Sequence, residues 1–288
     1  MVDICCIGHI TLDKVVNPSG QVHMPGGTSF YFSHAMANLD VRYSLVTGIA
    51  ESEMHIVSEL RAAGISVSAL SSRHTVYFEN IYDTNQDNRK QRVLQKADPF
   101  DMNSFLDVDA RMYHLGPLLG DDIPLSLIKY LSAKGIVSLD VQGFLRLVQD
   151  ETVLATDWSE KNEALPYVDI LKANDAELAV LTSCDDIWEG AMIIAALGVN
   201  EVIVTLGSKG SLIYTGGVFY EIPAYEPNQV VDATGCGDTY MAGYLYKRAK
   251  NFDCVESGKF GAAMATLKIE STGPFKGSLE DVLERIAP

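Results

Sequence analysis

The chain has 288 residues, of which 47% are hydrophobic and 21% charged, and it carries a net charge of −16. That length and balance give a globular protein with ample material for a core, and the acidic charge makes a phosphate backbone a poor partner, so nucleic acid is not expected. No apolar run approaches the ~18 residues of a membrane span, and five cysteines without C-x-x-C spacing argue against a disulfide framework or a zinc site.

The first segment, "MVDICCIGHI", lacks a basic flank and a small-residue cleavage site. It reads as a first buried strand rather than a signal peptide, and a cytoplasmic protein is expected. "TLDKVVNPSGQVHM" (11–24) reads as a hairpin with a Pro-Ser-Gly turn. "TSFYFSHAMANL" (28–39), "SEMHIVSELRAAG" (52–64), "PLSLIKYLSAKG" (124–135) and "EGAMIIAALG" (189–198) have apolar residues at helical spacing. "YSLVTGIA" (43–50), "RMYHLG" (111–116), "GIVSLDV" (135–141), "VDILKAN" (168–174) and "EVIVTLG" (201–207) read as buried strands. A second, longer hairpin, "TVYFENIYDTNQDNRKQRVLQK" (75–96), carries a polar tip, and its basic stretch "NRKQRV" (88–93) reads as a solvated loop. Strands at 201–206, 210–214 and 217–222, a helix from about Gly237, a helix over 254–269 and a short terminal helix complete the chain. This alternation predicts an α/β fold with a mostly parallel sheet, whose ligands sit beyond the carboxyl ends of the strands. The two hairpins, half-exposed and alternating, predict a small separate sheet, serving as a lid or as a subunit interface, unless they are mere ornament.

One loop carries chemistry. In "VVDATGCGDTY" (230–240), Gly235 and Gly237 flank Cys236 and are followed by Asp238. Tyr240 stands where a dinucleotide fingerprint needs its third glycine, and no Walker A pattern exists in the chain. The loop still suits an anion, because small residues allow close approach and the first amides of a helix lack internal partners. Asp238 in the first turn is either a catalytic acid–base group or a dipole-matched cap, and the loop alone leaves both open. Cys236, at a helix N-terminus, is expected to have a depressed thiol pKa and to be sensitive to alkylation.

"DATGCGDTYMAGY" (232–244) resembles the C-terminal signature of the PfkB, or ribokinase-like, family of carbohydrate kinases. "MPGGTSF" (24–30), "KANDAEL" (172–178) and "VTLGSKGS" (204–211) are similar to its other segments, in order. The resemblance implies one kinase domain over 1–288, a three-layer αβα sandwich with a small β lid built from about 11–24 and 75–96. It implies that Asp238 is the general base and that the amides of Gly235, Cys236 and Gly237 hold the transferring phosphoryl group of ATP. Asp13, Gly26 and Gly27 would meet the acceptor, with Asp140, Gln142 and Arg146 of "LDVQGFLR" beside it. Thr205, Gly207, Gly210 and Asn174 would line the nucleotide, and Glu177 would organise Mg2+ through water. Asn174 and Glu177 are also compatible with a helix-capping pair, and Asp13 with a hairpin-surface acid. Asp232 and Thr234, with the turn near Ser271 and Gly273, fall where some members bind a monovalent cation such as K+.

The chain departs from the sugar-kinase pattern after the paired glycines, where Thr28, Ser29, Phe30 and Tyr31 replace a small residue and an asparagine. Ribose-type and fructose-type acceptors are therefore disfavoured. "HLGPLLGDDIP" (114–124) and "DVQGFLR" (140–146) are similar to the inositol-kinase-like branch. The expected function is ATP-dependent phosphorylation of a sugar or polyol hydroxyl, with a homodimer through the lid. The alternatives are a nucleoside kinase and a catalytically silent binding protein of the same fold.

Overall fold

The computed structural model describes residues 1–17, 20–82 and 89–287. The tips of both hairpins, including the Pro-Ser-Gly turn and the polar tip, lie largely outside the described residues. In chain order the strands are β1 (Val2–Ile7), β2 (Thr11–Asn17), β3 (Gly20–Gly26), β4 (Tyr43–Ile49), β5 (Ser66–Ser71), β6 (Val76–Tyr82), β7 (Arg89–Gln95), β8 (Ala110–Leu115), β9 (Ile136–Asp140), β10 (Arg146–Gln149), β11 (Thr152–Ala155), β12 (Ile170–Asn174), β13 (Glu201–Thr205), β14 (Ser211–Thr215) and β15 (Val218–Ile222). The helices are α1 (Thr28–Ala37), α2 (Met54–Ala62), α3 (Leu125–Ser132), α4 (Lys161–Ala164), α5 (Asp175–Thr182), α6 (Ile187–Ala196), α7 (Cys236–Ala249), α8 (Cys254–Ile269) and α9 (Leu279–Ile286).

Among the described residues, nine strands form the large sheet in the order β15-β14-β13-β12-β9-β8-β1-β4-β5. It is parallel from β5 to β13 and ends in the antiparallel β13-β14-β15 meander. Continuous apolar runs suit strands buried on both faces. Alternate residues of one strand therefore enter different cores. Ile4 and Cys6 pack with Phe32, Met36, Tyr244 and Phe260 of α1, α7 and α8. Cys5 and Ile7 pack with Leu127, Leu131, Leu178 and Ile194 of α3, α5 and α6. Each fully buried side chain of this size contributes about 1.5–3 kcal/mol relative to leaving it exposed. None of the described helices is long and apolar enough to cross a membrane.

The second sheet has the order β10-β11-β7-β6-β2-β3. Both expected hairpins enter it, joined by parallel pairing of β2 with β6. The β10–β11 hairpin was not foreseen. Nor was "NRKQRV" seen as a strand: Arg89–Gln95 is β7 rather than a loop, and the partly exposed Arg92 is ion-paired with Glu79 and Glu151.

The strand period of two divides this sheet's work. Thr11, Asp13 and Val15, with Val22, Met24, Phe78, Asn80 and Gln91, line a cleft between the sheets. The intervening Lys14 and Glu79 are register neighbours and pair on the other face at 2.9 Å, with Arg92 on the far side of Glu79 at 2.8 Å.

Candidate active site

The cleft has a volume of about 1850 Å³ and lies at the carboxyl ends of the central strands. Asp140 ends β9, Asn174 ends β12 and Thr205 ends β13. The register sets Lys172 beside Asp140. Lys172 Nζ donates to Asp140 Oδ2 at 2.9 Å and lies 3.8 Å from Glu177 Oε2. Burial opposes its charge, but Asp140, Glu177 and Asp238 more than offset that and hold Lys172 protonated, its pKa above the ordinary lysine value. A lysine within the apolar run "DILKAN" was the signal for this group, and sequence reasoning passed over it.

Asn174 and Glu177 form the capping box of α5: Glu177 N donates to Asn174 Oδ1 at 2.7 Å and Asn174 N to Glu177 Oε2 at 2.8 Å. The other oxygen, Glu177 Oε1, accepts from Gln142 Nε2 at 3.1 Å. Gln142 N in turn donates to Asp140 Oδ1 at 3.1 Å. Asp140, Gln142, Lys172, Asn174 and Glu177 thus form one network. Arg146 reaches the same cleft, with its guanidinium on Leu118 O at 3.1 Å and 5.5 Å over the Phe78 ring.

The glycine loop enters the site at the start of α7. Gly235 is the N-cap, in the left-handed region at φ 77°, and supplies no side-chain cap. A Cβ there would lie 2.2 Å from the Tyr31 ring, so the position requires glycine both for its backbone and for its neighbour. Within the described residues the amides of Gly235, Gly237 and Asp238 have no acceptor, while Cys236 N donates to Ala233 O at 3.2 Å. The amide of Cys236 is thus occupied, and the amides left open at the start of α7 are those of Gly235, Gly237 and Asp238. Expectation fails at the Cys236 thiol. Burial pushes it up to about 12, against a smaller opposing pull from Lys268, so a helix N-terminus does not activate it.

Asp238 stands half-buried on the cleft floor. Burial and the neighbouring Asp140 carboxylate push its pKa up to about 6, against the pull of Lys172 and of a hydrogen bond from Thr28. Thr28 occupies one of the positions where the sequence departs from the sugar-kinase pattern. Gly27 precedes it as the N-cap of α1 at φ 89°. Gly26 leaves room for Asp13, since a Cβ would lie 2.6 Å from Asp13 Oδ2. Thr205, Gly207 and Gly210 line the same cleft, as do Tyr225, Pro227, Ala262 and Thr266. Gly210 at φ 92° could not carry a side chain, because a Cβ would lie 2.0 Å from Ile222 O.

The fit of cations differs between the two expected sites. No group of three acidic, His or Cys side chains among the described residues closes around a metal. Magnesium often keeps several waters and takes one or two carboxylates plus substrate phosphates, and the Asp140–Asn174–Glu177 edge fits that arrangement. The Asp232–Thr234 turn does not fit a monovalent cation. Its carboxylate and carbonyl are already held by the buried ammonium of Lys268, at 3.2 Å and 2.8 Å.

Residues 137–281, half of the chain, match the family of pfkB carbohydrate kinases. The chain belongs to the pfkB family. It is 29% identical over 272 residues to a cytidine kinase of Thermococcus kodakarensis, covering 90% of this chain and 94% of that one. A pyrophosphate-dependent kinase of the ribokinase family, solved with a pyrophosphate analogue and myo-inositol, superposes with TM-score 0.88 at 28% identity, over 98% of this chain and 99% of that one. An Arabidopsis thaliana ribokinase solved with ribose and ATP shares the fold, with TM-score 0.82, 22% identity and coverage of 99% and 98%. The expected three-layer α/β fold of this family is therefore the fold of the chain, and its activity class is that of a kinase acting on a sugar or nucleoside.

Proposed function

We propose that this pfkB-family protein transfers the γ-phosphoryl group of ATP to a hydroxyl of a polyol or sugar. The observation that carries this reading is the position of Asp238. Its carboxylate lines the cleft beside the open amides at the start of α7, with Asp140 and Lys172 close enough to act on its charge and Thr28 hydrogen-bonded to it.

Asp238 accepts the proton of the acceptor hydroxyl as that oxygen attacks the γ-phosphorus, and the bond to the β-phosphate bridging oxygen breaks to release ADP. The amides of Gly235, Gly237 and Asp238, with the helix dipole, stabilise charge on the transferring group. Lys172 offsets the carboxylates around it and keeps the floor from repelling a polyanion. Asp140, Asn174 and Glu177 would hold magnesium through water, and that ion supplies charge neutralisation to the phosphates. Asp13, Asn80, Gln91 and Arg146 offer the acceptor several hydrogen-bonding groups, which suits a polyhydroxylated ring.

ATP is favoured over bare pyrophosphate by the donor arm. Tyr225, Pro227, Val230, Ala262, Ala265 and Ile269 give it apolar walls that a base would fill. Among the described cleft-lining residues the cations are Lys172 and Arg146, and Lys172, beside Gly237, already has its ammonium on Asp140. A nucleoside acceptor is the second reading. Val15, Val22, Met24 and Phe78 form an apolar side to the acceptor arm, and a relative is a cytidine kinase.

The test is turnover with Mg-ATP or Mg-pyrophosphate against myo-inositol, hexoses, pentoses and nucleosides. ADP formation with a cyclic polyol or sugar is the expected result. Phosphorylation of cytidine alone selects the second reading, turnover with pyrophosphate alone overturns the donor assignment, and tight binding without turnover of any acceptor selects a silent binding protein.

A further inference from the structure

Lys268 lies in the last turn of α8 and is wholly buried, at 0% side-chain exposure. A buried lysine is rare unless its ammonium is paired. Its Nζ donates to the main-chain carbonyl of Asp232 at 2.8 Å and lies 3.2 Å from Oδ2 of the same residue. It also stands 5.9 Å from the centre of the Tyr31 ring. Asp232 is in turn the anchor of the loop before α7. Its Oδ1 accepts from Thr234 N at 2.9 Å and its Oδ2 from Gly273 N at 3.3 Å, while its own amide donates to Ile269 O at 3.2 Å. The loop runs from this anchor through Gly235, packed on that same Tyr31 ring, to Asp238.

We propose that Lys268 is a tethered monovalent cation: its ammonium permanently fills the place a dissolved potassium or ammonium ion would take at Asp232, and so holds the phosphoryl-binding loop in order without added salt. An ammonium group and a potassium ion are similar in size and equal in charge, and both are satisfied by carbonyl and carboxylate oxygens. Covalent attachment removes the loss of translational freedom that a free ion would suffer on binding. Lys268 is a positioning residue. It does not line the cleft and acts on the reaction through Asp232 and the loop. The inference rests on the kinase reading for its effect on turnover, but not for its effect on ion binding.

The experiment compares the full-length wild type with Lys268→Ala and Lys268→Met, each in tetramethylammonium, lithium and potassium salts at equal ionic strength. Thermal midpoints are recorded for all three proteins, and turnover with Mg-ATP wherever an acceptor is known. Wild type is expected to show the same midpoint and turnover in every salt. Lys268→Ala opens a space beside Asp232. It is expected to lose turnover by roughly 5- to 150-fold, the common range of coupling between two sites, with the rate restored by potassium or ammonium and not by lithium. Its midpoint is expected to rise with potassium. Lys268→Met refills the space without charge, so it should stay impaired in all salts. Potassium activation or stabilisation of the wild type overturns the proposal, as does a Lys268→Ala protein that is fully active and unshifted without potassium. If Lys268→Ala does not fold in tetramethylammonium, refolding in potassium but not lithium supports the proposal, and failure in both overturns it. If no acceptor is ever found, the midpoints decide alone, so failure of the kinase reading remains distinct from failure of this one.

Discussion

Asp238 shares its corner of the cleft with Asp140 and with Lys172, and the balance among them sets its readiness to take a proton. Burial and Asp140 push its pKa up to about 6. A base nearer to neutral pH retains more driving force than an ordinary aspartate while still being ionised at pH 7. The base must be unprotonated to act, so kcat/KM should fall as pH drops through about 6 and level off above it. Phosphate charge in the bound complex opposes ionisation further, so the kcat profile should not lie at lower pH than that of kcat/KM. Asp238→Asn keeps the size and removes the base. Turnover should drop by roughly 10²–10⁴-fold while ATP affinity, read by calorimetry, is retained. Near-normal turnover would return Asp238 to the role of a helix cap. The same burial that tunes Asp238 silences Cys236, whose thiol faces Ala265 O at 3.7 Å. Local position at a helix N-terminus suggests activation there, and only the packed surroundings reverse it.

At the scale of elements, the α7 N-terminus depends on its glycine. Gly235→Ala should cost roughly 1–2 kcal/mol for the left-handed backbone alone, plus the collision with Tyr31. Gly217→Ala is the control, since Gly217 has φ 80° and nothing within 4 Å of the point a Cβ would occupy. Urea unfolding of the two variants should therefore show Gly235→Ala as the less stable, with turnover lost only in that variant; equal stabilities would remove Tyr31 from the account. Most strands of the large sheet and most of the helices around it were legible because their apolar runs and 3.6-residue spacings report burial directly. The 254–269 helix agrees with α8 to the residue. β5 and the β10–β11 hairpin escaped notice for physical reasons. "SVSALS" alternates serines on an exposed sheet edge, and "RLVQ" and "TVLA" are too short to show a period. In the site, Asp238, the flanking glycines, Asn174 and Glu177 were visible as local patterns. Lys172, Lys268, Asn80 and Gln91 were not, because their significance comes from partners 32 to 36 residues away for the lysines and from cross-strand pairing for the amides.

Across the whole molecule, the half-exposed alternation of the hairpins carries two meanings that sequence cannot separate. One face looks into the cleft and the other bears the Lys14–Glu79–Arg92 ion pairs. We propose that the chain pairs with a second copy through this sheet, supported by the exposed Leu147 and Leu154, which face each other across the β10–β11 ladder. Light scattering on the full chain should give twice the monomer mass, and Leu147→Glu combined with Leu154→Lys should return it to the monomer; a monomeric wild type at micromolar concentration refutes the pairing. The division of the cleft between two sheets also bears on how such a protein changes over generations. On the proposed function, the residues that meet the acceptor sit at every second position of short outer strands, while those that would move the phosphoryl group sit at strand ends and a helix start of the large sheet. Mutation can therefore rewrite preference one inward-facing side chain at a time and leave the reactive centre as inherited, so that a single ancestral catalyst is free to acquire new diets without relearning its chemistry.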